Sequence, residues 1–464
     1  MFAMSAVLLI SCDKEETTAD SSFAIKASGA DYSACSLPVT TVDGDVTVIS
    51  TNTTWDNDHV WSIKGVVRVT NGATLTIEHG TYIKGDPTHA APTGVLVITK
   101  TGKINALGGI DANANGRIDD SEVKDPIVFT SYRLLDCTAG TAPVPGDFGG
   151  VVFLGNAPVN TGSVTNVIEG LGDQSPIGDF QYGGTASNHD VGSFQYVRIE
   201  YAGRALAPNV EINGLTMGGV GNAGLTAANT KIHHIQVTYG LDDAYEWFGG
   251  TVNANNLIAF AQDDDAFDFD LGYVGTIDFA LALADTNSTH SGTPPTSPDS
   301  NGIELDNDAT GSANTPFTRP LINHLSIIGA GTAALAKSYE NGIHIRRNGR
   351  ITLLNSTVAG YGTNATTTTP VTPDTWAIRF ESPSVNTNSL FTNVGVHSYR
   401  TGTDAAGQFT TPGTITGVTA ATGPNFGMAQ PFFNSGFNPA GATNGAFAAG
   451  VTWISSDWTK FSAF

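Results

Sequence analysis

The sequence has 464 residues and a formal net charge of −22, with 54 glycines and only 14% charged residues. Because this charge repels phosphate backbones, nucleic acid is excluded as the expected partner. A glycine-rich chain with few charges is typical of turn-rich β proteins and disfavours helical bundles. The length suits one long solenoid or about two to three ordinary domains, and we expect the solenoid.

The first residues form a short apolar run that ends at Leu9-Ile10-Ser11-Cys12. This ending resembles the lipobox of bacterial lipoproteins, which implies a signal segment over residues 1–12 and lipidation of Cys12. The following Asp13-Lys14-Glu15-Glu16 resembles the signal that sends Bacteroidota lipoproteins to the outer face of the outer membrane. These resemblances imply a lipid-anchored protein at the cell surface, and a chance cysteine is the alternative. Residues 13–44 are predicted to be a flexible tether.

Two further cysteines, Cys35 and Cys137, remain for the folded part of the chain. Exported proteins fold in oxidising surroundings, where disulfides form and persist. A disulfide between Cys35 and Cys137 is therefore predicted, with two reduced buried thiols as the alternative.

A twelve-residue segment, 111–122, matches the pattern of the EF-hand calcium loop. Oxygen-bearing side chains occupy loop positions 1, 3, 5, 9 and 12, and glycine occupies position 6. Two asparagines in place of aspartates lower the ligand charge, which predicts the weak affinity of extracellular calcium modules. We expect bound calcium to stabilise this loop as an insertion in the fold. An acidic turn without a metal is the alternative. The predicted calcium ligands are Asp111, Asn113, Asn115, the carbonyl of Arg117, Asp119 and Glu122.

Strand-like segments that are rich in β-branched residues lie on both sides of this loop. They read Val66-Val67-Arg68-Val69, Val95-Leu96-Val97-Ile98, Pro126-Ile127-Val128-Phe129 and Gly149-Gly150-Val151-Val152-Phe153-Leu154. Their order resembles a family of β-helical outer-membrane lipoproteins of Bacteroidota, with relatives in spirochaetes and proteobacteria, over roughly residues 60–400. The resemblance implies a pectin-lyase-like fold, but it implies no settled activity and no agreed catalytic residues.

Residues 242–272 contain two copies of one pattern, Asp242-Asp243-Ala244-Tyr245-Glu246-Trp247 and Asp264-Asp265-Ala266-Phe267-Asp268-Phe269. Alternation places Tyr245 and Trp247 on one face of a strand and Glu246 on the other. A repeat with a period in the twenties is typical of a chain that winds through successive coils.

Similar segments recur along the chain, and they alternate with more apolar strands such as 194–199 and 232–237. Two alternating strand families without an amphipathic helix predict an all-β fold. We expect a right-handed parallel β-helix over residues 45–450, with the calcium loop 111–122 inserted in it. The similar segments are Val210-Glu211-Ile212-Asn213, Ile303-Glu304-Leu305-Asp306, Ile343-His344-Ile345-Arg346 and Ile378-Arg379-Phe380-Glu381.

Stacked coils would align the outward side chains of these segments into one exposed column, with about 4.8 Å between coils. The column runs from acidic residues at one end to cationic residues at the other. Its members are Glu211, Asn213, Glu246, Asp268, Asp270, Glu304, Asp306, His344, Arg346, Arg379 and Glu381.

The column supplies the catalytic candidates, which are Asp268, Glu304, Asp306, His344, Arg346 and Arg379. In a calcium-dependent polysaccharide lyase, the three carboxylates would hold calcium and Arg346 would remove the proton next to the substrate carboxylate. In a glycoside hydrolase, two carboxylates would act as acid and base. A solvated sheet face that holds structural cations is the alternative to both.

Two smaller clusters and the C-terminus carry further features of the sequence. The aspartates at 242–243 and 263–265 suggest a second calcium site at a coil corner. His233 and His234 lack a third ligand at a recognisable spacing, so no metal site is expected there. Residues 401–450 are predicted to be loops and a loose last coil. The aromatic residues of 451–464 are predicted to cap the open end of the solenoid, and an exposed docking patch is the alternative.

These features favour a cell-surface lipoprotein whose calcium-stabilised β-helix binds a glycan, an envelope protein or the substrate of an outer-membrane transporter. A calcium-dependent polysaccharide lyase or glycoside hydrolase is the alternative, and a structural or adhesive surface protein is the second alternative. The expected cofactor is calcium, and the lipid anchor is the expected contact with the membrane.

Overall fold

The computed structural model describes residues 33–90, 93–136, 142–203, 212–287, 300–331, 339–361, 376–381, 388–399, 415–450 and 453–461. In this part of the chain, two long sheets of ten and fifteen strands form, and a short antiparallel pair stands apart from them. Within each long sheet the strands are parallel, and neighbours come from successive coils. The fold is therefore a right-handed parallel β-helix, as the sequence predicts.

The strands are numbered in chain order. The ten-stranded sheet contains β2 (Val48–Ile49), β5 (Val66–Val69), β8 (Val95–Ile98), β11 (Gly150–Leu154), β15 (Leu215–Gly218), β17 (Tyr245–Phe248), β19 (Phe267–Asp270), β21 (Ile303–Leu305), β23 (Ile343–Ile345) and β25 (Ile378–Phe380).

The fifteen-stranded sheet contains β1 (Val39–Asp43), β3 (Thr53–Trp55), β4 (Val60–Lys64), β6 (Thr74–Ile77), β7 (Tyr82–Gly85), β9 (Lys103–Leu107), β10 (Ile127–Thr130), β14 (Gly192–Glu200), β16 (Ile232–Thr238), β18 (Ala254–Phe260), β20 (Thr276–Leu283), β22 (Leu321–Ile328), β24 (Thr352–Tyr361), β26 (Leu390–Ser398) and β27 (Val418–Ala420). The antiparallel pair is β12 (Asn166–Val167) and β13 (Gln181–Tyr182). Short 3-10 helices span Ser33–Ser36, Tyr132–Leu134, Ile177–Phe180, Ala227–Asn229, Phe433–Ser435 and Gly445–Gly450.

The long strands of the larger sheet turn a corner at one residue, which gives each coil a third side. β14 pairs with β9 before Tyr196 and with β10 after it. A left-handed backbone at each corner produces this change of direction, although left-handed residues other than glycine are uncommon. We call these stacked corner residues the left-handed ridge: Tyr196, His234, Asn256, Phe279, His324, Asn355 and Asn393, with φ between 45° and 55°.

Apolar side chains of successive coils stack inside the solenoid. The rings of Tyr245 and Phe267 lie 5.4 Å apart, and those of Trp247 and Phe269 lie 4.7 Å apart. The Tyr245 hydroxyl donates to two carbonyl groups at 2.8 and 2.9 Å, so this buried polar group is satisfied. Burial of each large side chain contributes roughly 1.5–3 kcal/mol. The alternating aromatic residues in the sequence therefore mark the positions whose side chains point into the interior of the coils.

The folded part of the chain begins earlier than residue 45, which corrects the predicted end of the tether. Val39–Asp43 pairs in register with Val60–Lys64, and Asp43 forms an ion pair with Lys64 at 2.5 Å. Cys35 is disulfide-bonded. Cys137 lies outside the described residues, so its pairing with Cys35 stays a prediction.

The C-terminal residues run back along the flank of the solenoid. We call residues 415–450 and 453–461 the C-terminal strap. Its later part contacts the middle coils: Trp458 packs 5.3 Å from His234, and the Lys460 backbone N–H donates to Gln236 at 2.8 Å. Apolar residues that face outward on the flank join the strap in a second core. The expected cap over the open end is therefore a strap along the side, and the expected loose coil is packed in its described part.

Among the described residues, no helix combines the length and the apolar character that a membrane crossing requires.

Candidate functional site

The outward face of the ten-stranded sheet changes from apolar to acidic along the solenoid. Its first coils present valines, which are covered by an arm formed by residues 159–182. In that contact, Ile168 and Phe180 of the arm belong to the same buried cluster as Val95 and Val152. Beyond the arm, the outward positions become carboxylates, beginning with Glu246 in β17.

The predicted column exists from β17 onward. Glu246 pairs with Asp268, Asp268 with Glu304, Glu304 with His344, and His344 with Arg379. The first predicted strand is wrong, because β15 is Leu215–Gly218 and Thr216 stands opposite Glu246. Ile212 instead faces the arm, so its apolar character reflects packing outside the coil. Glu211 lies outside the described residues.

Most of the column is buried or half-buried rather than exposed, which corrects a second expectation. Glu246, Glu304 and Asp306 are only 6%, 8% and 4% exposed. Glu246 and Glu304 line a half-open acidic cavity of about 590 Å³, and Asp306 forms an ion pair with Arg346, which also lines it. The cavity is lined by Glu169, Asn213, Asp242, Asp243, Glu246, Asp264, Asp265, Asp268, Glu304, Arg346 and Arg347.

Three parts of the chain form the cavity. The column supplies one wall, and the coil-corner aspartates supply a second, because corner and strand are only a few residues apart in each coil. Glu169 comes from the arm, far away in sequence. The corner aspartates were predicted as a separate calcium site, and the structure brings them to the column. No sequence signal connects Glu169 to this site, since the arm has no repeat pattern.

Two groups of three carboxylates in the cavity have the spacing that a metal ion requires. Asp242, Asp243 and Asp264 form one group, and Asp243, Glu246 and Asp268 form the other. In each group, one carboxylate oxygen per residue lies within 4.8 Å of the others. Asp243 belongs to both groups, so the two sets are continuous.

Burial changes the protonation of these groups. The pKa values of Asp243, Glu246 and Asp268 are raised well above their usual range, first because the carboxyl groups are buried and then because other carboxyl groups surround them. The same causes raise the pKa of Asp265. Oδ1 of Asp268 is also buried without a hydrogen-bond partner. Without a cation, burial therefore favours the protonated form of these carboxyl groups, and a divalent cation could replace the protons.

The arginines at the cavity are held by carboxylates. Arg346 forms ion pairs with Glu304 and, at 3.0 Å, with Asp306. Asp306 also pairs with Arg347 at 2.7 Å. Because a guanidinium group donates hydrogen bonds and has no accepting atom, Arg346 in this setting is suited to hold negative charge. The structure thus offers a stronger basis for an electrostatic role of Arg346 than for the predicted role as base.

His344 and Arg379 continue the column past the cavity. The imidazole of His344 is 6% exposed, and both of its ring nitrogens are buried without a hydrogen-bond partner. Its pKa is lowered to about 4, mainly because of burial and also because Arg379 is close. Arg379 itself forms an ion pair with Glu340 at 2.7 Å.

The predicted calcium loop folds so that its oxygen-bearing side chains face one another. The amides of Asn113 and Asn115 donate to Oδ2 of Asp119 at 2.9 and 3.1 Å. The Glu122 carboxylate accepts from the backbone N–H of Asp119 at 2.8 Å, and Asp111 accepts from that of Gly116 at 2.7 Å.

The loop is fixed to the flank by Gln195, which accepts from the Ile118 N–H at 2.9 Å and donates to the Gly116 carbonyl at 3.1 Å. Rotation of the two asparagine amides would present oxygen to an ion, so the donor set fits calcium. Calcium binding by this loop stays a prediction.

Two remaining predictions concern residues away from the cavity. His233 and His234 are buried, and their Nδ1 atoms lie 2.8 Å apart. Burial lowers the pKa of both rings, and Tyr196 stacks on His234 at 4.3 Å. The pair belongs to the packing beneath the C-terminal strap. Cys12 lies outside the described residues.

The fold and the cavity define a parallel β-helix protein with a half-open acidic site. Residues 47–458 match the family model described as a pectate-lyase-like β-helix domain, and the chain belongs to that family. No curated protein matches the chain significantly, and no solved structure does.

Proposed function

We propose that this protein is a calcium-dependent binding protein whose acidic cavity holds calcium and, through the ion, an acidic glycan. The convergence of eight carboxylates on one cavity carries the proposal. Calcium takes about six to eight oxygen ligands, and carboxylates are among those it prefers. Asp243, Glu246 and Asp268 would hold the ion. Three side chains leave coordination positions for oxygens of a bound molecule.

The charge of the cavity supports an acidic rather than a basic ligand only when the ion is present. Calcium would neutralise part of the buried negative charge, and the guanidinium groups of Arg346 and Arg347 lie at the cavity as further positive groups. A uronate carboxylate could then bind between the ion and the arginines. Without calcium, the same carboxylates would repel a uronate. The proposal therefore requires binding to depend on calcium.

The loop 111–122 would hold a second calcium ion with a structural role. The amides of Asn113 and Asn115 contact the Asp119 carboxylate, and Gln195 attaches the loop backbone to β14. Removal of this ion would destabilise the flank of the solenoid but would leave the calcium ion in the cavity. Loss of the loop ion is therefore expected to affect stability, and loss of the cavity ion is expected to affect ligand binding.

A calcium-dependent lyase is the second candidate, and it is favoured by the family of the chain together with the arginine at the acidic cavity. Calcium bound to a uronate would make the proton next to its carboxylate more acidic. Arg346 would stabilise the negative charge that develops when this proton leaves.

A polysaccharide screen with and without calcium tests the proposal. We expect the protein to bind acidic polysaccharides in calcium and to release them in EDTA, without forming unsaturated products. Asp268→Asn should abolish calcium-dependent binding, whereas Val274→Ala, at an exposed site, should leave it intact. Binding that persists in EDTA would contradict the proposal. Unsaturated products that disappear in Asp268→Asn would establish the lyase instead.

We also propose that the protein is anchored at the outer surface of the outer membrane through Cys12. The Leu9-Ile10-Ser11-Cys12 ending and the acidic residues after it support this proposal. Metabolic labelling with a fatty-acid analogue should mark the natural protein but not Cys12→Ala, and protease added to intact cells should cleave the natural protein. Unchanged labelling of the variant would contradict lipidation at Cys12.

A further inference from the structure

Two arginines occupy equivalent positions in successive coils, just before β22 and β24. Leu321 of β22 pairs with Thr352 of β24, and Arg319 and Arg350 each lie two residues before these partners. The ladder already includes this position, because the Arg350 backbone N–H donates to the Thr318 carbonyl at 3.0 Å. Neighbouring strands of a sheet lie about 4.8 Å apart, so two positive side chains leave the backbone at this spacing.

Each of these arginines reaches toward the coil of the other. Nε of Arg319 donates to Oγ1 of Thr352 at 3.1 Å. The guanidinium carbon of Arg350 lies over the Phe317 ring, 3.3 Å from its centroid. Burial, and after it the charge of Arg319, lowers the pKa of Arg350. The two positive groups are therefore close enough to repel each other.

No carboxylate balances this pair within the described part of the chain. Neither Arg319 nor Arg350 forms an ion pair with a described residue, although the chain has 43 acidic residues against 21 lysines and arginines. A bound anion would remove the repulsion between two such groups. Ion pairs do hold most of the other described arginines, which are Arg68, Arg133, Arg198, Arg346, Arg347 and Arg379.

The hydrogen-bond donors of this pair are accessible. Arg319 is exposed, and Arg350 is half-buried. Nε of Arg350 is buried, but its two terminal nitrogens are open to solvent and have no partner among the described residues. A guanidinium group only donates hydrogen bonds, and the Thr352 hydroxyl, which accepts from Arg319, keeps its own proton to donate. The surface therefore offers several donors to one acceptor group.

The charge of the pair selects the ligand. A phosphate monoester carries a charge of about −1.5 to −2 at pH 7 and has three acceptor oxygens. It can therefore neutralise both guanidinium groups and accept hydrogen bonds from each of them. A carboxylate or a sulfate ester carries a single negative charge, so either would leave one guanidinium group unbalanced.

We infer that Arg319, Arg350 and Thr352 form a binding site for a dianionic phosphate group, in a monoester or in free phosphate. None of the three residues lines the acidic cavity. The inference is therefore independent of the proposed calcium-dependent function, and either can fail without the other.

Calorimetry in EDTA tests this site while the acidic cavity holds no calcium. Methyl phosphate, inorganic phosphate and methyl sulfate are each titrated into the full chain and into Arg319→Met, Arg350→Met and Lys103→Met. Methionine keeps an unbranched apolar side chain and removes the charge. Arg319 is exposed, so its substitution should not disturb the fold. Lys103→Met is the control for the loss of one surface charge, because Lys103 is exposed and pairs with Asp190.

We expect phosphate to bind at one site, and each arginine variant to bind it at least tenfold more weakly, as the loss of a charge-assisted hydrogen bond predicts. Methyl sulfate should bind the natural protein at least tenfold more weakly than methyl phosphate, and Lys103→Met should bind as the natural protein does. The tighter of the two phosphates identifies the ester or free phosphate as the source of the group. No binding of either phosphate, equal binding of methyl sulfate, or affinities that both arginine substitutions leave unchanged would each overturn the inference.

Discussion

Asp243 and Asp268 differ in the hydrogen bonds that their carboxylates make within the site. Oδ1 of Asp243 accepts from the backbone N–H of Asp265 in the next coil at 2.9 Å, so this residue also holds the coils together. Oδ1 of Asp268 has no such partner. Asparagine retains an accepting oxygen, so Asp243→Asn removes charge and preserves the contact between coils. The two positions therefore allow charge and architecture to be tested separately.

The raised pKa values predict how stability without divalent cations depends on pH. A carboxyl group whose pKa is raised by folding stays protonated when the unfolded chain has lost the proton, so stability falls as pH rises. Each such group costs about 1.4 kcal/mol per pH unit in that range. Buried histidines with lowered pKa act in the opposite direction, but their effect ends near the ordinary histidine pKa of about 6.5.

Above about pH 6.5 in EDTA, we therefore expect urea-unfolding experiments to show stability that falls as pH rises, because burial raises the pKa of Asp306 to about 7 and raises those of Asp243, Glu246, Asp265 and Asp268 strongly. Calcium should suppress this fall, and Asp268→Asn should reduce its slope. A stability that stays constant or rises over this range in EDTA would contradict the account of the cavity.

Arg346 should contribute strongly to stability, because it neutralises two buried carboxylates, Glu304 and Asp306. We expect Arg346→Met to destabilise the protein by about 3–5 kcal/mol in urea unfolding at neutral pH, since both carboxylates lose this partner. Lys103 forms an exposed ion pair with Asp190, and Lys103→Met should cost less than about 1 kcal/mol. Comparable losses in the two variants would show that the buried ion pairs are not stabilising.

The left-handed ridge is the structural element that gives each coil its third side. Amide side chains connect its upper coils: Asn355 donates to Asn323 at 3.0 Å, and Asn393 donates to Asn355 at 2.8 Å. Asparagine tolerates the left-handed conformation better than most residues, so it serves both as a corner and as a link between coils. Aromatic ridge residues instead pack against neighbouring rings, as Phe279 does on His324 at 4.5 Å.

Substitution at Asn355 separates backbone strain from amide bonding. Asn355→Ala and Asn355→Gly both lose the side-chain hydrogen bonds of the asparagine. Only alanine is sterically strained in the left-handed backbone conformation. We expect the alanine variant to be about 1–2 kcal/mol less stable than the glycine variant in urea unfolding. Equal stabilities would indicate that the corner changes its backbone conformation when the side chain is lost.

The C-terminal strap should depend on Trp458, which is 1% exposed and donates its ring N–H to the Trp453 carbonyl at 3.0 Å. We expect Trp458→Ala to cost about 3–5 kcal/mol and to make the strap sensitive to limited proteolysis while the β signal in circular dichroism remains. Val274→Ala, at a 41% exposed site, should stay within about 0.5 kcal/mol of the natural protein. A protease-resistant strap in Trp458→Ala would contradict this role.

Taken as a whole, the molecule was predictable where residues repeat from coil to coil. Tyr245 and Phe267 lie in register because interior positions recur with each turn, and the same rule located Glu246, Asp268 and Glu304. Contacts between distant segments escaped prediction. The arm brings Glu169 to the cavity, and the strap covers the flank, but neither segment has a period that relates it to its partner.

Calcium titration by calorimetry, with Asp243→Asn and Asp111→Ala beside the natural protein, tests whether the acidic cavity and the loop each bind calcium. We expect two binding events: Asp243→Asn should lose the event in the cavity and keep the one in the loop, whereas Asp111→Ala should do the reverse. An isotherm that Asp243→Asn leaves unchanged would contradict the assignment of the acidic cavity as a calcium site.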